Sequence, residues 1–320
     1  MRRISPEQSE LIDAIVAESS TGTLSPGMLE KDIHVTDALR VLSNLAHEHV
    51  RFVFCGGTSL SKAYFLIKRM SEDVDLKIVL HEHHGLSNAQ LRAHLSALKS
   101  VIEAALSAAG FQELTDQRRA QNENRYFASR WSYAPAYAHD TSLRPFLSLE
   151  LTVRTPQYST LRKPLGYLAE RLANRSRTVV ELECVAVEET LAEKVLSFLR
   201  RYAQYQAGEM RAPWDTALVR HVYDTHCVHV QDPQALTRAL SRFTTLVECD
   251  VEEFGRQHRA FADNPRQLLL EALARAETDE ARQKEYDQFL LPLVFGSVRP
   301  QYRDAYGTFK ECADSLLSTL

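Results

Sequence analysis

The sequence predicts an α+β protein in which a small mixed sheet is followed by a helical C-terminal domain. Short apolar, β-branched runs alternate with helical segments as far as about residue 187, and nearly every segment beyond it has helical spacing. With 320 residues, 44% of them hydrophobic, the chain can bury a sizeable core and form more than one folding unit. We therefore predict two domains, residues 1–187 and 188–320.

Composition narrows the class of protein. The net charge of −4 argues against a generally cationic nucleic-acid binder, although a local basic patch remains possible. No apolar run is long enough to cross a bilayer, and the opening "MRRISPEQSE" lacks the apolar stretch of a secretory signal. Five cysteines without CxxC spacing indicate buried thiols in a reducing compartment. We expect a cytoplasmic protein with no membrane partner.

The chain begins with two predicted helices. Ser5 is placed to cap a helix whose first position is Pro6, and Gln8 completes the helix-start pattern three residues after the cap. In the next helix the apolar residues recur close to every 3.6 positions. The two predicted helices cover residues 5–20 and 30–48.

The sheet is predicted from short apolar runs of alternating or β-branched character. The first of these, "RFVFC", ends at Gly56-Gly57, and a helix closed by Gly110 lies further along. The predicted strands are 51–55, 74–80, 124–133, 144–155 and 178–187. The predicted helices between them are 58–70 and 87–110.

From Glu188 onward the pattern is almost entirely helical, without an internal repeat or a low-complexity linker. The predicted helices of this half are 187–206, 214–228, 233–248, 265–277, 281–294 and 301–320. These segments form the predicted C-terminal domain.

The stretch "GGTSLSKAYFLIKRMSEDVDL", from Gly56 to Leu76, has the pattern of a metal–nucleotide site. Asp73 and Asp75 fall on one face of a strand because strand side chains alternate with period two. Two adjacent carboxylates repel each other unless a cation neutralises them, and such oxygen ligands suit Mg²⁺. The glycines allow backbone to approach a bulky anion, and the N-terminus of the following helix favours phosphate. A DxD or a GG alone is more often an edge strand or a turn.

This stretch resembles the signature of minimal nucleotidyltransferases of the DNA polymerase β superfamily, and more narrowly the AbiEii-type, MenT-like toxins. The family pattern is an apolar residue with GG or GS, a helix, and then an acid–apolar–acid–apolar strand. The matching residues are Gly56, Gly57, Ser59, Lys62, Asp73 and Asp75. The resemblance implies a minimal nucleotidyltransferase core with a mixed sheet, in which the first four bind nucleotide and the two aspartates bind Mg²⁺ and are catalytic.

Three further positions extend the resemblance. Glu150, in "FLSLELTV", lies where the superfamily often has a third metal-binding acid, although an acid on an edge strand would look the same. Lys194 lies on an apolar helix at the place of the family's catalytic lysine, or it extends to water as a surface lysine. Asp224 matches the acid that ends the family's Arg-Asp-Leu-x-Asp-like motif, whose first acid is replaced here by His221.

A basic segment follows Glu150 in the chain. It contains Arg154, Arg162, Lys163, Arg171, Arg175 and Arg177, with Glu170 as the opposing charge and Tyr158 and Tyr167 interspersed. Basic residues with aromatics can bind the phosphates and stack on the bases of an RNA end, although a solvated charged face would have the same composition. We predict that Arg171, Arg175 and Arg177 bind RNA.

The resemblance implies a Mg²⁺-dependent toxin of a toxin–antitoxin system, which transfers NMP from an NTP to an RNA acceptor, expected to be the tRNA 3′ end. A cognate antitoxin is then a partner. Two alternatives remain from the residues alone: transfer to a protein hydroxyl, and a nucleotide-binding module without turnover.

The histidines of "HEHHG" at 81–85 are not predicted to form a zinc site, because neighbouring loop histidines rarely converge on one centre.

Overall fold

The fold is taken from a computed structural model that describes residues 1–18, 23–45, 48–138, 140–210 and 212–320. The ends of the first two predicted helices, at 19–20 and 46–47, lie outside the described residues. The chain divides into two compact units. The first comprises residues 1–65, 69–156 and 160–185, and the second comprises 66–68, 157–159 and 186–320.

The first unit is built around one mixed sheet. Its strands are β1 (Val50–Cys55), β2 (Asp73–Leu80), β3 (Gln112–Glu113), β4 (Arg119–Gln121), β5 (Tyr126–Ser132), β6 (Leu147–Val153), β7 (Leu161–Leu165) and β8 (Val180–Cys184). Its helices are α1 (Pro6–Glu18), α2 (Pro26–Ser43), α3 (Gly56–Lys62), α4 (Asn88–Ala108) and α5 (Leu168–Leu172), with a 3₁₀ turn at Thr115–Gln117.

The strands are ordered β3-β5-β6-β2-β1-β8-β7, and β4 pairs with β5. The two pairs β2–β6 and β1–β8 are parallel, whereas the other pairings are antiparallel. This confirms the predicted α+β class with a mixed sheet. Parallel pairing of β2 with β6 brings together strands separated by the whole of α4 and β5.

The alternation along β2 separates the core from the polar face. Val74, Leu76 and Ile78 belong to the main hydrophobic core, together with residues of α2, α4 and β6. Since successive strand residues point to opposite faces, Asp73 and Asp75 lie on the other side of the sheet. Burial of the even-numbered residues therefore determines where the two carboxylates face.

One helix and several short elements of the first unit differ from the sequence predictions. The helix predicted over 58–70 ends at Lys62, and Phe65 adopts a left-handed φ of 58°. The backbone carbonyl of Lys68 then accepts hydrogen bonds from the NH groups of Phe295 and Gly296. The segment around Lys68 is therefore held by residues that are distant in the sequence. Strands β3, β4 and β7 and helix α5 were not predicted. The sequence of β7, "LRKPL", contains two charged residues and a proline, and its pairing with β8 is long-range.

The second unit consists of helices. They are α6 (Val187–Gln206), α7 (Val219–Gln231), α8 (Gln234–Leu240), α9 (Phe243–Phe254), α10 (Arg259–Asp263), α11 (Pro265–Glu277), α12 (Glu280–Glu285) and α13 (Tyr302–Leu317), with short turns at Thr216–Leu218, Tyr286–Leu290 and Leu291–Leu293. On α6, Leu191, Val195 and Phe198 recur at helical spacing and are completely buried. The helix predicted over 233–248 is two helices, α8 and α9. No helix in the described part of the chain is long and apolar enough to span a membrane.

The buried histidine of α2 makes stability depend on pH. His34 is fully buried, and burial lowers its pKa even though Glu30 Oε1 lies 3.7 Å from Nε2. The unfolded chain therefore binds a proton near pH 6.5 more readily than the folded chain, so stability falls as the pH drops through that range. We expect the melting temperature to fall between pH 7.5 and 5.5, and His34→Gln to reduce that slope; an unchanged slope would contradict this.

Candidate active site

Three acidic side chains lie on neighbouring positions of β2 and β6. Asp75 is the register partner of Glu150, and Asp73 is the partner of Ser148 two residues away on each strand. Neighbouring strands are about 4.8 Å apart, so the side chains of an in-register pair lie side by side. The structure thus places the three predicted metal ligands, Asp73, Asp75 and Glu150, on adjacent strands and on the sheet face opposite the main core.

Gly56 lies directly against one of these carboxylates. β1 pairs with β2 so that Cys55 faces Asp75, and Gly56 follows with a φ of 75°. A Cβ atom at Gly56 would overlap Oδ2 of Asp75 and lie 3.1 Å from its Cγ. Glycine is therefore required here by both the backbone conformation and the space that the Asp75 carboxylate occupies.

Gly56→Ala is expected to displace the Asp75 carboxylate and to reduce nucleotidyl transfer on the order of 10- to 100-fold, as small displacements of reacting groups do. The left-handed φ adds a stability cost of about 1 kcal/mol. Gly85→Ala is the matched control, because Gly85 has a φ of 63° but no atom within 4 Å of its Cβ position. Transfer rates and melting temperatures of both variants test this; equal activity in the two would show that contact with Asp75 is unimportant.

Asp73 is paired with an arginine that sequence reasoning did not single out. Nη1 of Arg144 donates to Oδ1 of Asp73 at 2.7 Å. The backbone NH of Arg144 donates to Glu72 at 2.7 Å, and its carbonyl accepts from Nζ of Lys31 at 2.6 Å. Arg144 lies in the connection before β6, 71 residues from Asp73, and no local pattern indicates this pairing.

Tyr126 is a second neighbour that was not predicted. It lies close enough to Glu150 and Asp75 for both carboxylates to act on its phenol. Burial is the main reason why the pKa of Tyr126 is raised, and the charges of Glu150 and Asp75 raise it further. Tyr126 therefore stays protonated as a neutral phenol near Glu150 and Asp75.

The predicted nucleotide-binding residues of α3 are largely enclosed. Gly57 is buried, and Ser59 is completely buried beside Cys184. Lys62 is 6% exposed; its Nζ forms an ion pair with Asp32 and donates to the carbonyl of Gly166 at 3.3 Å. A phosphate contact by the side chain of Ser59 or Lys62 would require it to leave these surroundings.

The predicted RNA-binding arginines are exposed, and two of them already have partners. Arg171 stacks over the ring of Phe65 with its guanidinium carbon 3.2 Å from the centroid. Arg177 forms an ion pair with Glu170. The basic segment is also less cationic in space than in sequence, because β8 places Glu181 3.0 Å from Arg162. Arg175 is exposed on the segment that follows α5.

The two tyrosines of the basic segment also have partners. The hydroxyl of Tyr167 donates to Asp37 at 2.8 Å. Tyr158 belongs to the second unit, where its hydroxyl donates to the carbonyl of Ala239 at 2.6 Å. Their hydroxyl groups therefore help to hold the fold.

In the second unit, Lys194 and Asp224 form a buried ion pair. Nζ of Lys194 lies 2.7 Å from Oδ2 of Asp224, and their side chains are 8% and 0% exposed. Nδ1 of His221 lies 3.2 Å from the carbonyl of Lys194. Burial, together with the nearby Lys194 charge, holds the pKa of His221 well below its usual value, so this histidine is neutral near pH 7.

The acidic residues on β2 and β6 have the donor chemistry for a hard divalent ion. Carboxylate oxygens are the ligands that Mg²⁺ prefers, and Asp73, Asp75 and Glu150 supply them on adjacent strands. Among the described residues, however, no group of three or more His, Cys, Asp or Glu side chains is arranged so that it could hold a metal ion without moving. Arg144, which donates to Asp73, supplies positive charge at this face.

Comparison with known families identifies the chain as a nucleotidyltransferase. The model of the family described as "Nucleotidyl transferase AbiEii toxin, Type IV TA system" matches residues 39–308. The chain belongs to this AbiEii family, and it is a nucleotidyltransferase toxin of a type IV toxin–antitoxin system. Membership implies an NTP substrate and an antitoxin partner, and nucleotidyltransferases generally use divalent metal ions.

Among solved structures, the chain is similar to MenT4, a nucleotidyltransferase toxin from Mycobacterium tuberculosis H37Rv. The match covers 71% of this chain and 76% of MenT4, with 16% sequence identity and a TM-score of 0.35. A search of curated protein sequences gives no match.

Proposed function

We propose that the protein is a Mg²⁺-dependent enzyme that transfers NMP from an NTP to RNA, with the tRNA 3′ end as the expected acceptor. The observation that carries the catalytic part of the proposal is the in-register placement of Asp75 beside Glu150, with Asp73 two residues away. Mg²⁺ held by these carboxylates would supply charge neutralisation at the triphosphate and at the attacking hydroxyl.

The chain's own groups around these acids keep them in position. Arg144 donates to Asp73 at 2.7 Å, and Gly56 leaves room for the Asp75 carboxylate. Tyr126 lies near Glu150 as a neutral phenol. In the proposal, backbone at Gly56 and Gly57 approaches the phosphates, since a glycine without a side chain permits that approach. Ser59 and Lys62 remain proposed nucleotide contacts, which they would make only by leaving their buried positions.

Lys194 and Asp224 are proposed as a catalytic pair. Lys194 would neutralise charge that develops on the phosphates, and Asp224 would hold the ammonium in one orientation through their 2.7 Å contact. His221 contributes through its contact with the Lys194 backbone, and it remains neutral. Asp224 itself is fully buried, which supports a positioning role.

The acceptor is proposed from the exposed arginines of the basic segment. A net acidic protein needs a local positive surface to bind RNA phosphates. Replacing Arg171, Arg175 and Arg177 together by Gln is expected to weaken acceptor binding several-fold and to reduce its salt dependence by roughly one unit of slope per lost phosphate contact. NTP binding should be unchanged. Acceptor affinities measured across a salt series test this, and parental behaviour of the triple variant would contradict it.

The reaction itself is tested with labelled nucleotides. The protein is incubated with each α-labelled NTP, Mg²⁺ and total tRNA, and labelled RNA is separated from labelled protein. Label on the RNA 3′ end, lost when Mg²⁺ is chelated, is the expected result. Label on protein and never on RNA would overturn the RNA acceptor and favour transfer to a protein hydroxyl. NTP binding without any label transfer would instead indicate a non-catalytic module.

A further inference from the structure

The contact between Arg144 and Asp73 places a cation at the acidic face of the sheet. Nη1 and Oδ1 are 2.7 Å apart, and the side chains of Arg144 and Asp73 are 34% and 24% exposed. The guanidinium therefore borders solvent at the face where a triphosphate would have to arrive. Five N–H donors in a planar fork suit an arginine to bind either a carboxylate or a phosphate.

The backbone of Arg144 is held independently of its side chain. Its NH donates to Glu72 and its carbonyl accepts from Lys31, which in turn lies 3.5 Å from Glu72. Lys31 and Glu72 are 0% and 1% exposed, so this anchor lies inside the protein. The side chain can exchange its partner while the main chain stays in place.

The charges at this face show why such an exchange is favourable. Asp73, Asp75 and Glu150 carry three negative charges along two adjacent strands, and these like charges repel one another. Arg144 compensates part of that charge. A divalent ion at the same carboxylates would repel the guanidinium, whereas the triphosphate that accompanies the ion offers it a new anionic partner.

We propose that Arg144 is the counter-ion of the acidic site before substrate binds and becomes a triphosphate-binding residue once the metal–nucleotide has bound. This inference rests on the proposed function, because it requires a metal–nucleotide site at Asp73, Asp75 and Glu150. Arg144 thereby disfavours binding of the metal alone and favours binding of metal and nucleotide together. A purely structural arginine would affect folding without coupling the two ligands.

The test measures binding on the full chain, with no need for turnover. Mn²⁺ binding without nucleotide is followed by electron paramagnetic resonance, and Mg²⁺-dependent binding of a non-hydrolysable NTP analogue by calorimetry. For Arg144→Gln we expect Mn²⁺ alone to bind roughly three- to tenfold more tightly and the analogue to bind roughly tenfold more weakly. Arg144→Lys should preserve more of the metal effect than of the nucleotide effect, since an ammonium keeps the charge but loses the fork.

Two controls separate the possible outcomes. Arg118→Gln removes an arginine that is about as exposed as Arg144 and is paired with Glu113 and Glu103, and it should change neither binding constant. Asp75→Asn should abolish Mn²⁺ binding. If Asp75→Asn abolishes it but Arg144→Gln binds both ligands like the parent, the Arg144 inference is overturned and the metal site stands. If Asp75→Asn binds Mn²⁺ like the parent, the metal site fails, and the Arg144 inference fails with it. Melting temperatures of all variants confirm that each is folded.

Discussion

Asp75→Asn is expected to reduce nucleotidyl transfer on the order of a thousandfold or more. It removes a proposed metal ligand, and the bound metal ion stabilises the transition state by several kcal/mol. Asp75 has neighbours in the proposed site on both adjacent strands. It is paired in register with Glu150, faces Cys55 on the other side, and limits the space at Gly56. Removing one of three neighbouring negative charges also relieves repulsion, so the melting temperature should hold or rise.

Asp73→Asn should give a comparable loss of activity. It should also lower the stability slightly, because it removes the ion pair with Arg144. Its partner Arg144 is one-third exposed, and such pairs contribute only about 0–1 kcal/mol. Single-turnover transfer rates and thermal melts measure both effects. Asp116→Asn, in the exposed turn at Thr115–Gln117, is the control. Near-parental transfer in either site variant would show that these carboxylates do not bind the catalytic metal.

Lys194→Ala is expected to have the largest effect on stability. It would remove the ammonium that lies 2.7 Å from a completely buried carboxylate, and breaking a buried ion pair costs about 3–5 kcal/mol. Because this pair is buried, loss of activity in this variant is expected to be accompanied by loss of stability. Activity of the single variant therefore cannot by itself separate catalysis from folding. Urea unfolding at constant pH measures the stability loss directly.

A double variant separates the two roles of the pair. Lys194→Met with Asp224→Asn removes both charges, so it should recover most of the lost stability while transfer stays low. The matched control is Lys310→Ala. Its Nζ lies 2.6 Å from Glu277, but both side chains are well exposed, and the loss should be about 1 kcal/mol or less. Recovery of both stability and activity in the double variant would make the pair structural only.

Local patterns in the sequence were sufficient for much of the fold. The strand predicted over 74–80 is β2, Asp73–Leu80, and the helix predicted over 87–110 is α4, Asn88–Ala108. Both predictions succeeded because burial on one face imposes a regular period on neighbouring residues. The prediction of a helix over 58–70 was wrong beyond Lys62, because the segment around Lys68 makes its backbone hydrogen bonds to residues 295–296. No local period records such a contact.

The sequence alone determined that Asp73 and Asp75 share a face and follow a glycine turn, because the two-residue period of a strand and the presence of glycine are local properties. Only the tertiary structure decided what surrounds them. The register of β2 with β6 placed Glu150 beside Asp75, and the connection before β6 placed Arg144 on Asp73. It also decided that Lys194 and Asp224 are a buried pair. Register and charge burial depend on strands and helices distant in the chain, whose packing no local pattern encodes.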